Sequence, residues 1–504
     1  MNPAQGFPEI AEPTRNRLVC ITCVREAFLS KQIEESGAEG VCSYCETTAI
    51  TFSIDRLADL VSFALKEHFE RSYPTDLTPG NEWIGGVVDV IGTAACIDEP
   101  IAEDIRKILA DRYEATGIEI ESPDEAPFAR GAHYEERSEV DDWEFHSDWR
   151  NFEETLKTEA RYFSRNAELI LWSIFEGLEA QTTSGGNPVI VAGGPDTAIP
   201  ELYRARTVQT VTKLRTVLIR PDKEVGPPPA SAAVAGRMNA RGISVFYGST
   251  DPEVAIAEVR PPVGSQVVVG RFDVIRPVRL LDLNALESVN IAEGSVFDED
   301  YTRRRKRARF LAWLSERITI PVMPDDETGD YLATQAIADF LSGTLDPPLD
   351  GIIYRSTQIE KPIRLYRHTD LVGVEKLNVA IFHNAARLRP MSVPEGTEIL
   401  VQSDSFHSSL DSSFDLGHLE KGPDEKYSVA EMVTNDTLVT SEFYDENELL
   451  GELESQAYDL KLDVGSLCVH WVSGVKFSTK SNPVFRYRSL KTNAGEPSDS
   501  GAPM

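Results

Sequence analysis

Residues Val245–Glu258 read VFYGSTDPEVAIAE, and this stretch decides how the middle of the chain folds. Val245-Phe246-Tyr247 is β-branched and aromatic, as strands are, and PEVAIAE reads as a short helix over Pro252–Glu258. Short β-rich runs recur at Gln266–Phe272, Val278–Leu283 and Gly351–Tyr354, interleaved with helical segments, so the expected class is α+β. Upstream, Thr182–Gly194 (TTSGGNPVIVAGG) holds four glycines and a proline, which suits a connection and places a boundary there. A central domain is therefore expected over 198–385.

Toward the N-terminus the chain carries Cys20-Ile-Thr-Cys23 and Cys42-Ser-Tyr-Cys45, two CxxC pairs separated by eighteen residues. Each CxxC turn points both sulfurs to one side, and the spacer lets the two turns face each other around a tetrahedral zinc. Four thiolates leave no open coordination position, so the metal is expected to be structural. A redox role is disfavoured because no βαβ pattern surrounds either pair. Asp55–Phe69 places Leu57, Leu60, Val61, Ala64, Leu65 and Phe69 on one helical stripe, with Asp55 as the expected N-cap. A second helix follows Pro100, with Ile101, Ile105, Ile108 and Leu109 on one face and Gly117 as its stop. Glu121–Arg150 is acidic and aperiodic and reads as loop or short helices, and Asn151–Ala180 reads as helical. Residues 1–182 are thus expected to be a zinc ribbon plus helices.

Beyond Arg389, the runs Glu398–Val401, Ser466–Val472, Gly474–Ser478 and Val484–Arg488 look like antiparallel strands, predicting a small β-rich domain over 390–490. Residues 491–504 have almost nothing apolar to bury and are expected to be disordered.

With 504 residues and 41% hydrophobic content, the chain is too long for one core and too apolar to be disordered. No apolar stretch reaches the length of a membrane span, and MNPAQGFPEIAEPTRNR has neither basic nor apolar leader regions. A cytoplasmic location without a membrane partner is expected, and a reducing compartment also suits the CxxC pairs. A net charge of -32 repels phosphate backbones, so nucleic acid is a poor partner. The one contrary segment, Thr302–Phe310 (TRRRKRARF), has Tyr301, Ala308, Leu311, Ala312, Leu314 and Ile318 near helical spacing, and its basic residues are expected to be the solvated face of that helix.

Four clusters in the middle of the chain carry chemistry: Leu202-Tyr203-Arg204-Ala205-Arg206, Gly236-Arg237-Met238-Asn239, Val245–Glu258, and Ile353-Tyr354-Arg355-Ser356. With Gly242 after GRMN, Tyr247, the AIAE helix end and Asn378-Val379-Ala380-Ile381-Phe382, their order and character resemble the RES domain family. The family's Arg, Glu and Ser would be Arg204, Glu258 and Ser356 here. The N-terminal CxxC pairs and helices also resemble the HEPN/RES N-terminal domain that often precedes this fold.

The resemblance implies a fold similar to ADP-ribosylating toxins and an enzyme that degrades NAD at its nicotinamide–ribose bond, as a glycohydrolase or phosphorylase acting as a toxin or defence effector. A protein ADP-ribosyltransferase and an inert binding module are the alternatives. The residue types suit that chemistry. Cationic nicotinamide leaves readily, so the enzyme has chiefly to stabilise positive charge on the ribose, and one fixed carboxylate, Glu258, suffices. It is expected as a buried acid beside the ribose. Arg204 and Arg237 offer planar donor forks to the pyrophosphate. Tyr247 offers a flat face and Ser356 a hydroxyl, while Tyr331, Thr334 and Gln335 shape the pocket. A HEPN-type ribonuclease needs an Arg four to six residues before a His on one helix. Arg56 with His68, Arg130 with His133 and Arg137 with His146 all miss that spacing. The expected partners are NAD, a neutralising antitoxin or regulatory protein, and a second copy in a homodimer.

Overall fold

The computed structural model describes residues 14–72, 85–118, 126–159, 164–320, 327–358, 376–391 and 458–475, and strand backbone at 402–403, 414–415, 418–421 and 427–430. At the N-terminus β1 (Leu18–Cys20), β2 (Ala38–Val41) and β3 (Thr48–Ser53) form an antiparallel sheet in the order β1-β3-β2, with α1 (Ala27–Ser36) between the first two. Strand β3 runs directly into α2 (Ile54–His68), so the cap is Ser53, whose hydroxyl accepts from Arg56 N–H. Asp55, expected at the cap, lies in the first turn, where its charge still meets the positive end of the helix dipole. Helices α2, α3 (Val87–Ala95) and α4 (Glu99–Glu114) bury Leu57, Val61, Ile91, Ile105 and Ile108 in one core, beside the pair β4 (Phe69–Ser72) and β5 (His133–Glu136).

The stretch expected to be aperiodic contains the start of α5 (Trp143–Thr158), which is followed by α6 (Arg165–Phe175). Trp149, Phe152, Leu171 and Phe175 of these helices share a core with Leu281, Phe310, Leu314 and Leu341. One continuous core therefore crosses the expected boundary at Thr182–Gly194, and that glycine-rich segment includes β6 (Ile190–Gly193), paired with residues 278–281.

The central elements are β7 (Glu201–Val208), α7 (Val211–Ile219), α8 (Pro221–Glu224), β8 (Phe246–Ser249), α9 (Pro252–Glu258), β9 (Gln266–Val274), β10 (Val278–Asp282), α10 (Glu299–Thr319), α11 (Glu327–Asp339), β11 (Gly351–Arg355) and β12 (Leu377–Ile381). Two short pairs follow, β13 (Gln402–Ser403) with β14 (Phe414–Asp415) and β15 (His418–Lys421) with β16 (Tyr427–Ala430), and then β17 (Leu460–Trp471). Eight strands build one sheet in the order β17-β9-β7-β8-β12-β11-β10-β6, with only β10 and β11 parallel among the recorded pairs. The chain is thus mixed α+β around a large central sheet.

Strand β17, which falls within the stretch expected to form a small β-rich domain, pairs along β9 as the edge of the central sheet. Its root is fixed by buried Asp459, whose carboxylate accepts from Arg276 and Arg387. The runs Glu398–Val401 and Val484–Arg488, most of Gly474–Ser478 and the 491–504 tail lie outside the described residues.

Helix α10 forms where the basic run predicted one, but its basic face is not simply solvated. Lys306 is buried, with Nζ 2.7 Å from Glu67 and 3.6 Å from Glu144. Arg309 pairs with Glu139 at 2.6 Å. His68 Nε2 lies 2.8 Å from Thr302 Oγ1, and Phe297, just before the helix, is buried in the N-terminal core. Acids on the N-terminal helices attract this face and make α10 the joint between the two parts of the molecule. Among the described residues no helix is long and apolar enough to cross a membrane.

Candidate functional site

The site begins with the register of the central strands. Tyr203 faces Ser249, Ser249 faces Asn378, and Asn378 faces Tyr354. Directly opposed residues in antiparallel strands point to the same side, so one row crosses four strands. Only Tyr203↔Ser249 pairs β7 with β8, and residues on both sides of this sparse junction line a cleft of about 300 Å³. Asp251 caps α9 by accepting from the Glu253 and Val254 N–H groups, and buried Val254 and Ala255 anchor the helix against the sheet. The helix ends with Glu258 over the row.

Glu258 Oε1 accepts from Ser356 Oγ at 2.7 Å and from Asn378 Nδ2 at 2.8 Å. Asn378 Oδ1 accepts in turn from Ser249 Oγ at 2.8 Å, and Asn378 and Ser249 are each only 2% exposed. The carboxylate is thereby gripped at one oxygen. It is not the buried acid that was expected: as the last residue of α9 it is exposed at the edge of the cleft.

Arg204 of β7 lines the same cleft, with its guanidinium 5.3 Å from the centre of the Phe246 ring. Burial pushes its pKa down to about 10, countered in part by Tyr247, so it remains cationic at neutral pH. Its Nη1 is buried without a hydrogen-bond partner among the described residues, a donor that a ligand oxygen would satisfy.

Arg237 sits on a tight turn in which Gly236 and Asn239 exchange backbone bonds. Buried Asn239 donates to the carbonyls of Val234, Ala240 and Ile243, and its Oδ1 accepts from Tyr247 Oη at 2.8 Å. Tyr247 Oη accepts in turn from Met238 N–H at 2.9 Å. A Cβ at position 236 would lie 2.9 Å from Tyr247 Oη, so glycine is required there for the tyrosine to approach. The Arg237 guanidinium donates to the Ile318 carbonyl and lies 5.4 Å from the Tyr331 ring centre. Thr334 and Gln335 donate to the Arg237 and Gly236 carbonyls at 2.5 and 2.9 Å and fix the turn from the α11 side. Burial raises the Tyr247 pKa to about 12 and raises that of Tyr354 as well, so both phenols stay protonated.

All five central residues singled out from the sequence meet at this cleft: Arg204, Arg237, Tyr247 and Glu258 line it, and Ser356 bonds Glu258 at its edge. Tyr247 presents its ring, its hydroxyl being committed to the loop. Sequence reasoning assigned no role to Asn378, Ser249 or Tyr354. Asn378 carried a readable signal, since an asparagine inside the apolar run Leu377–Ile381 is out of place in a strand unless its amide is bonded.

Arg260 and Arg355 add to Arg204 and Arg237, so among the described residues four arginines and one carboxylate line the cleft, Arg355 being paired with Glu287 at 3.0 Å. Against a net charge of -32 the cleft is a local attractor for anions. The set can hold a phosphate-bearing ligand with one fixed negative charge beside it.

The second cluster is far simpler. The Sγ atoms of Cys20, Cys23, Cys42 and Cys45 all lie within 4.8 Å of one another. Cys20 and Cys45 are 3.5 Å apart, and Cys23 and Cys42 are 3.9 Å apart. Sulfurs about 2.3 Å from a tetrahedral zinc stand about 3.8 Å apart, so the donor set fits that metal.

No curated protein and no solved structure matches the chain. Residues 201–399 match the family model described as the RES domain, and this is the stretch that supplies β7, the GRMN turn, α9, Ser356 just after β11, and the strand carrying Asn378.

Proposed function

We propose that the cleft binds NAD and breaks its nicotinamide–ribose bond, making the protein an NAD glycohydrolase or phosphorylase of toxin or defence type, on a fold similar to ADP-ribosylating toxins. The observation that carries this reading is one carboxylate, gripped at Oε1 by Ser356 and Asn378, sharing a cleft with Arg204 and Arg237. Arg204 and Arg237 take the pyrophosphate, and the unpaired Arg204 Nη1 gains an acceptor. The rings of Tyr247 and Tyr354 flank the nicotinamide riboside end. As the C1′–N bond breaks, its electron pair leaves with nicotinamide, and Glu258, held by its two donors, stabilises the positive charge left on the ribose. Water, or another nucleophile, then adds at C1′.

The Cys20, Cys23, Cys42 and Cys45 cluster holds a structural zinc that ties β1 to the turn before β3. A free NAD-degrading centre would deplete its own cell, so a neutralising antitoxin or regulatory protein, or pairing of two copies, restrains the enzyme in a cytoplasmic setting.

The test is to incubate the purified chain with NAD, with and without inorganic phosphate, and identify the products. Nicotinamide with ADP-ribose, or with its phosphorylated form, supports the reading. ADP-ribose on protein would make the enzyme a transferase, and absence of nicotinamide under all conditions would leave a binding module.

A further inference from the structure

Tyr203, Tyr247, Tyr331 and Tyr354 all line the main cleft, and they do not use their hydroxyls alike. Tyr203 Oη donates to Glu201 Oε1 at 2.7 Å, and Tyr247 Oη is committed between Asn239 Oδ1 and Met238 N–H. Tyr354 Oη has no hydrogen-bond partner among the described residues. The side chain is half-buried and packs against the core that holds Phe310 and Leu341, so it is not a solvated surface group. A phenol withdrawn from bulk water with an unused O–H calls for an acceptor.

Strand register fixes where that side chain stands. Tyr354 faces Asn378 across the β11–β12 pair, and Ser356 follows two residues later. Asn378 and Ser356 are the two donors that grip Glu258 Oε1, so Tyr354 stands beside both. Burial raises its pKa, Tyr247 and Glu258 raise it further and Arg237 opposes them, so the hydroxyl stays protonated within electrostatic reach of the carboxylate and the guanidinium together. In NAD, the atoms between C1′, where Glu258 acts, and the pyrophosphate, which Arg237 takes, are those of the nicotinamide ribose. Its ring oxygen gives up electron density as the C1′–N bond breaks and is a poor acceptor, which leaves the 2′- and 3′-hydroxyls.

We infer that Tyr354 is a substrate-contact residue whose Oη–H donates to a hydroxyl of the nicotinamide ribose, so that the cleft selects a ribose over its deoxy forms. This contact rests on the NAD reading of the cleft and adds recognition of the sugar to the part played by the Tyr354 ring.

Tyr354→Phe removes one oxygen and leaves the ring packing intact. Nicotinamide release by this variant and by wild type is compared with NAD and with two analogues, one lacking the 2′-hydroxyl and one the 3′-hydroxyl of the nicotinamide ribose. With NAD, kcat/KM should fall about five- to tenfold, as loss of one hydrogen bond between uncharged groups does. With the analogue that lacks the contacted hydroxyl, the two proteins should agree within about twofold, while the other analogue keeps the full loss. A merely structural hydroxyl would cost the same with all three substrates. Equal loss with every substrate, or no loss with NAD in a folded Tyr354→Phe protein, would overturn the contact and leave the NAD chemistry standing. Wild-type protein that releases no nicotinamide from NAD would overturn both.

Discussion

Asn378→Leu removes two hydrogen bonds at once, the amide donor to Glu258 Oε1 and the acceptor for Ser249 Oγ, while roughly preserving volume. A hydrogen bond to a charged group contributes about 1.5–3 kcal/mol. If that energy orients Glu258 for the transition state, nicotinamide release falls about 10- to 150-fold, one decade per 1.4 kcal/mol. Ser249 Oγ, left buried without an acceptor, costs about 1–3 kcal/mol of stability. The two effects separate in the double variant Asn378→Leu/Ser249→Ala, which removes the orphaned hydroxyl: melting temperature recovers and the rate stays low. Steady-state nicotinamide release with NAD as the varied substrate, combined with Glu258→Gln in a double-mutant cycle, reads the coupling. With the charge at position 258 already gone, Asn378→Leu should cost about twofold or less. Independent, multiplicative losses would refute the argument that Asn378 acts through Glu258.

Elemental analysis should find about one zinc per chain, and Cys42→Ser should lose it and destabilise the N-terminal sheet. A folded, metal-free wild type would remove the zinc. Arg204→Ala should raise KM for NAD at least tenfold, because it leaves a phosphate unpaired in a partly desolvated cleft, and an unchanged KM would place the pyrophosphate elsewhere. His68 is held neutral between α2 and α10: Thr302 Oγ1 donates to the Asp298 carbonyl, so His68 Nε2–H donates to Thr302 and Nδ1 accepts from Arg305. Burial, with Arg305 adjacent, depresses its pKa to about 4. Between about 6.5 and about 4 the unfolded chain therefore binds a proton that the folded one does not, and stability falls by about 3 kcal/mol as pH drops through that window. His68→Gln should flatten this part of the pH–stability curve in denaturant titrations, and an unchanged slope would exclude His68 as its source.

Local chemistry was legible where residues close in sequence act together. The CxxC pairs predict a sulfur cluster because each turn fixes its own two thiols, and VFYGSTDPEVAIAE predicts a strand and a helix ending at Glu258. What escaped is set by distant packing. Strand β17 shifts register between Asp463 and Cys468, which breaks the alternation that would reveal its full length, and its partner β9 lies far away in sequence. The basic face of α10 reads as solvated because the acids that cover it come from α2 and the segment around α5. Glu258 was read as buried from the apolar helix leading to it, yet the helix ends at the cleft edge. Asn378 needed the register Ser249↔Asn378↔Tyr354 before its role emerged.

The most direct test of the central claim compares wild type with Glu258→Gln in nicotinamide release and in NAD binding. The substitution leaves an Oε1 to accept from Ser356 and Asn378, so the fold and the grip survive while the charge is removed. Loss of one preorganised electrostatic group costs about 10²- to 10³-fold in rate. Release should fall by that order with NAD affinity nearly unchanged, whereas wild-type turnover in Glu258→Gln would show that this carboxylate does not stabilise the breaking bond.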